Sequence, residues 1–259
     1  MRAAEYAFFE APFLAFAHRG GAAYAPNLGR ENTLHAFGEA VALGYRYLET
    51  DVHASADGGL LAFHDPLLDR VTTGCGALAE RTSAELAQVR IGGHDPIPTF
   101  AALLEAFPDA RFNVDAKADA AVDALVAAIH EHDAYERVCV SSFSPARLHR
   151  LRRLLGRRVP TAASSRGVLL HRFAPWLTGV LNSPAPALQV PVSTRVGGRT
   201  VRITTSGLVR AAHRRGKQVH VWTVDDRPTI ERLLDLGVDG IFTDRPDTLK
   251  TVLVERRLW

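Results

Sequence analysis

Cysteine is nearly missing from this chain: two of 259 residues, Cys75 and Cys139, far apart in sequence. One sits beside a glycine turn and the other in an apolar run, so neither a zinc pattern nor a disulfide framework is indicated. A reducing compartment, and with it a cytoplasmic location, is the expectation. No stretch approaches the ~18 consecutive apolar residues that span a bilayer, so no stable membrane insertion is expected. The apolar N-terminus "MRAAEYAFFEAPFLAFAHRGG" lacks a basic start and a cleavage site, and Glu5, Glu10 and Pro12 interrupt it; this argues against a secretory leader. A Gly-x-Gly-x-x-Gly turn is missing too. The first apolar run is followed by "HRGGAAYAP", which counts against an open dinucleotide-binding sheet. The one dense basic run, "RLHRLRRLLGRR" (147–158), places Leu148, Leu151, Leu154 and Leu155 at helical spacing. It reads as a surface helix with a basic outer face, not as a nucleic-acid site.

What the chain does have is alternation. Strand-like runs occur at 14–18, 47–52, 111–117, 138–143, 159–164, 187–192, 218–224 and 240–244, with helical patterns such as 33–44, 120–132 and 206–216 between them. Asn32, Ser144 and Ser206 stand where helices should start, and Gly44, Gly216 and Gly237 where they should stop. Alternating strand and helix implies a parallel sheet. Eight such units in this length predict one α/β domain over 1–259, a (β/α)8 barrel. Residues 53–98 are too long for an ordinary strand-to-helix loop and read as an insertion after the second strand. The segment 166–186 is broken by Pro and Gly and admits no long helix.

In a barrel of this kind the reactive groups sit at the C-terminal ends of the strands, and polar residues gather there. His18-Arg19 ends the first strand, Glu49-x-Asp51 the second, Asp115-x-Lys117 the third, Trp222-Thr223 the seventh and Thr243-Asp244 the eighth, while His64 closes the extra run "LLAFHD". In "YLETDVH" (47–53) strand geometry sends Glu49, Asp51 and His53 to one face. Asp115 approaches from the neighbouring strand. Buried carboxylates need a positive partner. Three carboxylates without thiolates make a hard-oxygen site, so the expected partner is a divalent cation, Mg²⁺ or Ca²⁺; ion pairs with Arg19, Lys117 or Arg46 are the alternative. His53 reads as a loop residue past the strand end, facing solvent, in preference to a fourth ligand. His18 and His64 are the histidines best placed for proton transfer. Arg19 and Lys117 suit an anionic substrate, most simply a phosphate ester, and Trp222 either flanks a glycerol-like group or packs in the barrel.

The ordered set "AHRGG" (17–21), "ENT" (31–33), "ETDVH" (49–53), "AFHDP" (62–66), "NVDAK" (113–117), "SSF" (141–143), "VWTVDD" (221–226) and "GIFTDRP" (240–246) resembles the glycerophosphodiester phosphodiesterase family over almost the full chain. The resemblance implies a (β/α)8 barrel with an insertion after its second strand. It also implies cation-dependent hydrolysis of a small-molecule glycerophosphodiester to glycerol 3-phosphate and an alcohol. By motif, His18 and His64 are then the acid–base pair, Glu49 and Asp51 metal ligands, and Arg19 and Lys117 phosphate contacts. The implied chemistry is attack by the substrate's own 2-hydroxyl on phosphorus, then opening of the cyclic phosphate by water. Two features depart from the family. Asp115 stands where Glu is common, a substitution shared with similar sphingomyelinase D-like proteins of spiders, which leaves phospholipase D-like cleavage of lysolipid or sphingolipid head groups as the alternative. The loop 22–33 is longer than the usual "P-E-N-T" version and should reshape the rim.

Overall fold

Short β-branched and aromatic runs, each closed by a turn residue, become strands because they bury both faces. The computed structural model describes residues 1–179, 181 and 183–259. Its strands in chain order are β1 (Leu14–His18), β2 (Tyr47–Ala54), β3 (Leu60–Ala62) and β4 (Arg90–Ile91). Then come β5 (Asp95–Pro96), β6 (Arg111–Ala116), β7 (Val138–Ser141) and β8 (Ala187–Pro191). The last are β9 (Ser193–Val196), β10 (Arg199–Arg202), β11 (Gln218–Trp222) and β12 (Gly240–Thr243). Seven of them make a curled parallel sheet in the order β7-β6-β2-β1-β12-β11-β8, the barrel architecture expected from the alternation.

The predicted strand at 159–164 is the exception. It forms only single parallel bridges, Val140 with Thr161 and Ala162 with Ala187, and so links the two edges of the sheet without a regular ladder. Pro160 has no N–H to donate, and the run Thr161-Ala162-Ala163-Ser164 has little β preference. The Pro160 carbonyl still accepts from the Val140 amide at 3.0 Å, and Ala163 N donates to Ala187 O at 2.9 Å.

The helices are α1 (Leu34–Ala42), α2 (Ser83–Leu86), α3 (Phe100–Ala106), α4 (Ala121–Glu131) and α5 (Pro145–Leu155). They continue with α6 (Ser165–Phe173), α7 (Ser206–His213), α8 (Arg227–Asp235) and α9 (Pro246–Glu255). Ser144 caps α5 as its position suggests. The caps of α1 and α7 are instead Thr33 and Thr205, each one residue from the predicted Asn32 and Ser206. Asn32 braces the sheet instead, accepting a hydrogen bond from Thr50 Oγ1 at 2.8 Å from a backbone held at φ +60°. Within 166–186, α6 ends before Pro175; Val180 and Asn182 lie outside the described residues.

After β2 the chain turns back. β3 pairs antiparallel with β2 (Val52 opposite Ala62) and leads into a lobe with its own small core of Leu61, Phe63, Leu68, Leu78, Leu86, Ile91 and Ile97. At the opposite end, Phe8 and Phe9 close the base of the barrel against Phe16, Tyr47 and Phe242. The interior histidine of β11 belongs to this plug. His220 is fully buried, its ring 5.3 Å from Phe16 and 5.8 Å from Phe9, with Nε2 2.9 Å from Gln218 Oε1. Burial pushes its pKa down to about 3. Between that value and the unfolded pKa of about 6.5, only the unfolded chain takes up the proton, so stability falls as pH drops through this window. The expected slope from this group is about 1.4 kcal/mol per pH unit. His220→Gln should therefore lose less stability than the parent between neutral pH and pH ~4, by up to a few kcal/mol. Denaturant titrations at the two pH values check this; equal losses would remove His220 as the source.

Candidate active site

The parallel register lines up the polar strand ends. His18, the last residue of β1, pairs with Glu49; Glu49 pairs with Asn113; Asp51 pairs with Asp115 and Asp115 with Ser141. His18, Arg19, Glu49, Asp51, His64, Asp115, Lys117 and Trp222 all line one cleft of about 460 Å³, within the range of small-molecule sites. Every residue singled out from the sequence as catalytic, metal-binding or phosphate-binding is thus brought together.

The turn after β1 shows why the sequence there is "HRGG". Arg19 has φ +50°, and its amide reaches Glu49 Oε2 at 3.2 Å. Gly20 and Gly21 have φ +84° and +91°; a Cβ on Gly20 would lie 2.7 Å from Ala36 Cβ and one on Gly21 2.6 Å from Pro246. Side chains are excluded at both positions by conformation and by contact. A non-glycine residue held at positive φ stores strain, a common feature of functional sites.

Each histidine is fixed by a carboxylate on Nδ1. His18 Nδ1 lies 2.7 Å from Asp244 Oδ1, and its Nε2 is 3.8 Å from Glu49 Oε2. Burial alone would lower the His18 pKa, but the Glu49 charge and the Asp244 contact outweigh it and hold it above its ordinary value. His64 Nδ1 lies 2.5 Å from Asp65 Oδ1. His64 reaches the cleft because Phe63 N bonds Asp51 O (2.9 Å) and His53 Nε2 lies 3.0 Å from His64 O. His53 itself departs from expectation: β2 runs on to Ala54, so His53 does not face solvent but is buried within the strand, where it braces the chain beside His64.

Sequence reasoning missed the network that holds the second histidine. Arg70 makes two bonds to Glu31 (2.8 and 2.7 Å) and one to Asp65 (2.5 Å), while Glu31 also accepts from Arg19 at 3.1 Å. The Arg70 guanidinium holds the Asp65 carboxyl down at about 2. Asp65 and Asp244 were visible as charged neighbours of a histidine or a strand end. Nothing local in the sequence joins Arg70 to Glu31, or Asp244 to His18.

The carboxylates divide into two kinds. Asp51 receives Lys117 Nζ at 2.8 Å and lies 3.1 Å from Arg19 Nε; these charges override burial and keep it ionised below its ordinary pKa. Asp115 also meets Lys117, at 2.7 Å, but its burial is the stronger effect and raises it. So the ion-pair alternative is realised at these two residues. It is incomplete, since Asp51 Oδ2, Asp115 Oδ1 and Arg19 Nε have no well-aligned hydrogen-bond partner. Among the described residues no Lys or Arg side chain contacts Glu49; burial and the Asp51 charge push it up to about 7. Among the described residues no three His, Cys, Asp or Glu side chains close on one point at ligand distance. Trp222 meets Phe143 edge to face at 5.8 Å, and this aromatic pair stands at the cleft with Lys117 Nζ 5.6 Å from the Phe143 ring.

Residues 18–248 match the model of the glycerophosphoryl diester phosphodiesterase family. The chain belongs to that family. It is accordingly a phosphoric diester hydrolase. It is 39% identical over 254 residues to "Probable glycerophosphodiester phosphodiesterase 2" of Mycobacterium tuberculosis, covering 95% of this chain and 92% of the relative. A glycerophosphodiester phosphodiesterase of Caldanaerobacter subterraneus is 30% identical over 253 residues, covering 91% and 96%. The fold agrees with an Oleispira antarctica phosphodiesterase solved with its product sn-glycerol-3-phosphate, at a TM-score of 0.79 and 23% identity, covering 96% of this chain and 99% of that one. The family match begins at His18 and takes in every cleft-lining residue as well as Asp244 behind His18.

Proposed function

We propose that this protein hydrolyses glycerophosphodiesters to glycerol 3-phosphate and an alcohol, with His18 and His64 moving the protons and a divalent cation held by Glu49, Asp51 and Asp115. The observation that carries the reading is the matched pair of imidazoles. Each is tied at Nδ1 by a carboxylate, Asp244 or Asp65, and each lines the cleft that contains the three acidic strand residues. A carboxylate on Nδ1 fixes the tautomer and leaves Nε2 to accept or deliver a proton. One imidazole removes the proton of the substrate's 2-hydroxyl as its oxygen bonds to phosphorus. The other protonates the departing alkoxide, and the same pair serves when water opens the cyclic phosphate.

The residues fit a hard cation by the chemistry of the donor set: oxygen ligands only and, among the described residues, two carboxylate oxygens without hydrogen-bond partners and a buried Glu49 that no Lys or Arg side chain touches. When bound, such an ion supplies charge neutralisation at phosphate oxygens. Arg19 and Lys117, already beside Asp51, add fixed positive charge on the same side of the cleft. The product seen in the Oleispira antarctica structure is the one this chemistry releases.

A second reading is kept by the apolar part of the wall, Phe143, Val168, Leu169 and Ile203, which suits an acyl-bearing substrate. One assay separates them. With cation supplied, glycerol 3-phosphate should appear from glycerophosphocholine, -ethanolamine, -glycerol or -inositol. Release of lysophosphatidate from a lysophospholipid, with none of these diesters turned over, would favour the alternative; no product from either set would overturn the function.

A further inference from the structure

The charges of this chain are segregated. Residues 137–224 contain sixteen Arg and Lys and not one Asp or Glu, while the rest of the chain carries fifteen basic residues against 28 acidic ones. In a barrel such a stretch is one contiguous side, here running from β7 through β11. Around α5 part of the excess is answered by partners from elsewhere: on the helix Arg147 by Asp119 and Arg150 by Asp123, and just after it Arg157 by Glu5 and Arg158 by Asp133. On α6 and the β9–β10 hairpin it is not. Arg166, Arg172, Arg195, Arg199 and Arg202 have no ion-pair partner among the described residues, and all but Arg172 are exposed.

α6, the hairpin and the stretch that follows α6 also expose apolar side chains. Trp176 is 73% exposed, and Phe173, Leu181 and Val196 are each at least half exposed. The two elements form one surface, because Arg172 Nε donates to Arg202 O at 3.2 Å while its guanidinium stands 4.7 Å from the Phe173 ring. That surface is also the mouth of the cleft, since Leu169 on α6 and Thr194 on β9 line it. Exposed aromatics and aliphatics interleaved with unpaired arginines, on a strongly basic side, are what an anionic lipid–water interface selects. Trp and Arg in particular keep a polar end in the headgroup layer while burying the remainder.

We propose that α6, the turn Pro175–Gly179 and the β9–β10 hairpin dock the mouth of the barrel onto an anionic lipid bilayer. A second copy of the chain is the less suitable occupant: in a two-fold contact the unpaired arginines of one copy would face the same arginines of the other, whereas an anionic surface complements them. The proposal stands apart from the hydrolytic reading, because docking is measured without turnover.

The test is flotation of the full chain with vesicles of phosphatidylcholine alone or containing phosphatidylglycerol. Binding is expected only with the anionic vesicles, and should weaken steeply with added salt. Arg195→Glu/Arg199→Glu should weaken it at least ~20-fold, since each basic residue near such a surface counts for roughly a factor of five. Phe173→Ser/Trp176→Ser should weaken it at least ~10-fold by removing apolar insertion. None of these four residues lines the cleft, so turnover of a small soluble diester should be unchanged in both variants, which also shows that they are folded. Absence of binding to anionic vesicles overturns the proposal, as does binding that neither variant weakens. A concentration-dependent dimer that Phe173→Ser/Trp176→Ser dissociates would assign the rim to a second copy instead.

Discussion

Exhaustive chelation should abolish hydrolysis, and Mg²⁺ or Ca²⁺ should restore it. Glu49, Asp51 and Asp115 come from adjacent strands in register, so their carboxylates are held on one face whether or not charge repels them. Lys117 is shared between Asp51 and Asp115, and Arg19 lies against Asp51 alone, so two cationic side chains serve three buried carboxyls. Glu49, whose nearest cation-forming neighbour is the His18 imidazole at 3.8 Å, is left with a pKa pushed up to about 7 by burial and the Asp51 charge. A divalent cation would remove that imbalance and place positive charge where a phosphate must sit. Asp115 is the most informative position, because Lys117 already pairs with it and its other carboxylate oxygen has no hydrogen-bond partner among the described residues. Asp115→Asn removes one negative charge with little change of shape, so more cation should be needed for half-maximal activity, and excess cation should recover part of the rate. Asp115→Glu keeps the charge but moves it outward; since Mg²⁺ demands stricter geometry than Ca²⁺, preference should move toward Ca²⁺ if Mg²⁺ is native. Full activity after chelation would remove the cation from the mechanism. An unchanged titration midpoint in Asp115→Asn would confine the ligands to Glu49 and Asp51 and leave Asp115 as a partner of Lys117.

His18→Ala and His64→Ala should each cost at least ~10²-fold in turnover, the usual scale for a positioned acid or base. The losses should be far from additive in the double variant, because removing one member of a proton relay idles the other. The two roles can also be told apart. A substrate with a good leaving group such as nitrophenolate needs no general acid, so the variant lacking the acid should regain most of its rate there, while the variant lacking the base should not. Asp244→Asn and Asp65→Asn test the supporting carboxylates and should give smaller losses in kcat, of roughly tenfold or more, with KM little changed. Near-full turnover of a poor-leaving-group substrate by either alanine variant would show that histidine to be misassigned.

Much of this was legible in the chain because the signals are local. Alternating apolar runs and helix patterns specify parallel β/α units wherever the strands bury both faces. The period of two in "YLETDVH" commits Glu49 and Asp51 to one face regardless of what surrounds them. Where the local signal was weak, expectation and structure part: Pro160 and its small neighbours make bridges, not a strand, and His53 is inside a longer β2 because pairing with β3 extends the strand past the point where its own sequence would stop. Caps moved by one residue at α1 and α7, where Thr33 accepts from the Ala36 amide and Thr205 from the Leu208 amide, while Asn32 is taken up by Thr50.

What the sequence determined by itself is the set of polar side chains that line the cleft and the strand ends that carry them, since both depend on spacings of a few residues. Tertiary structure alone decided how those groups are held. Asp244 reaches His18 across 226 positions only because β1 and β12 are neighbours in the curled sheet, and Arg70 joins Glu31 to Asp65 only because the lobe after β3 folds back over the loop after β1. Such contacts depend on chain closure, and the ion-pair energies that fix them arise from desolvation and distance, neither of which is a property of any residue's sequence neighbours.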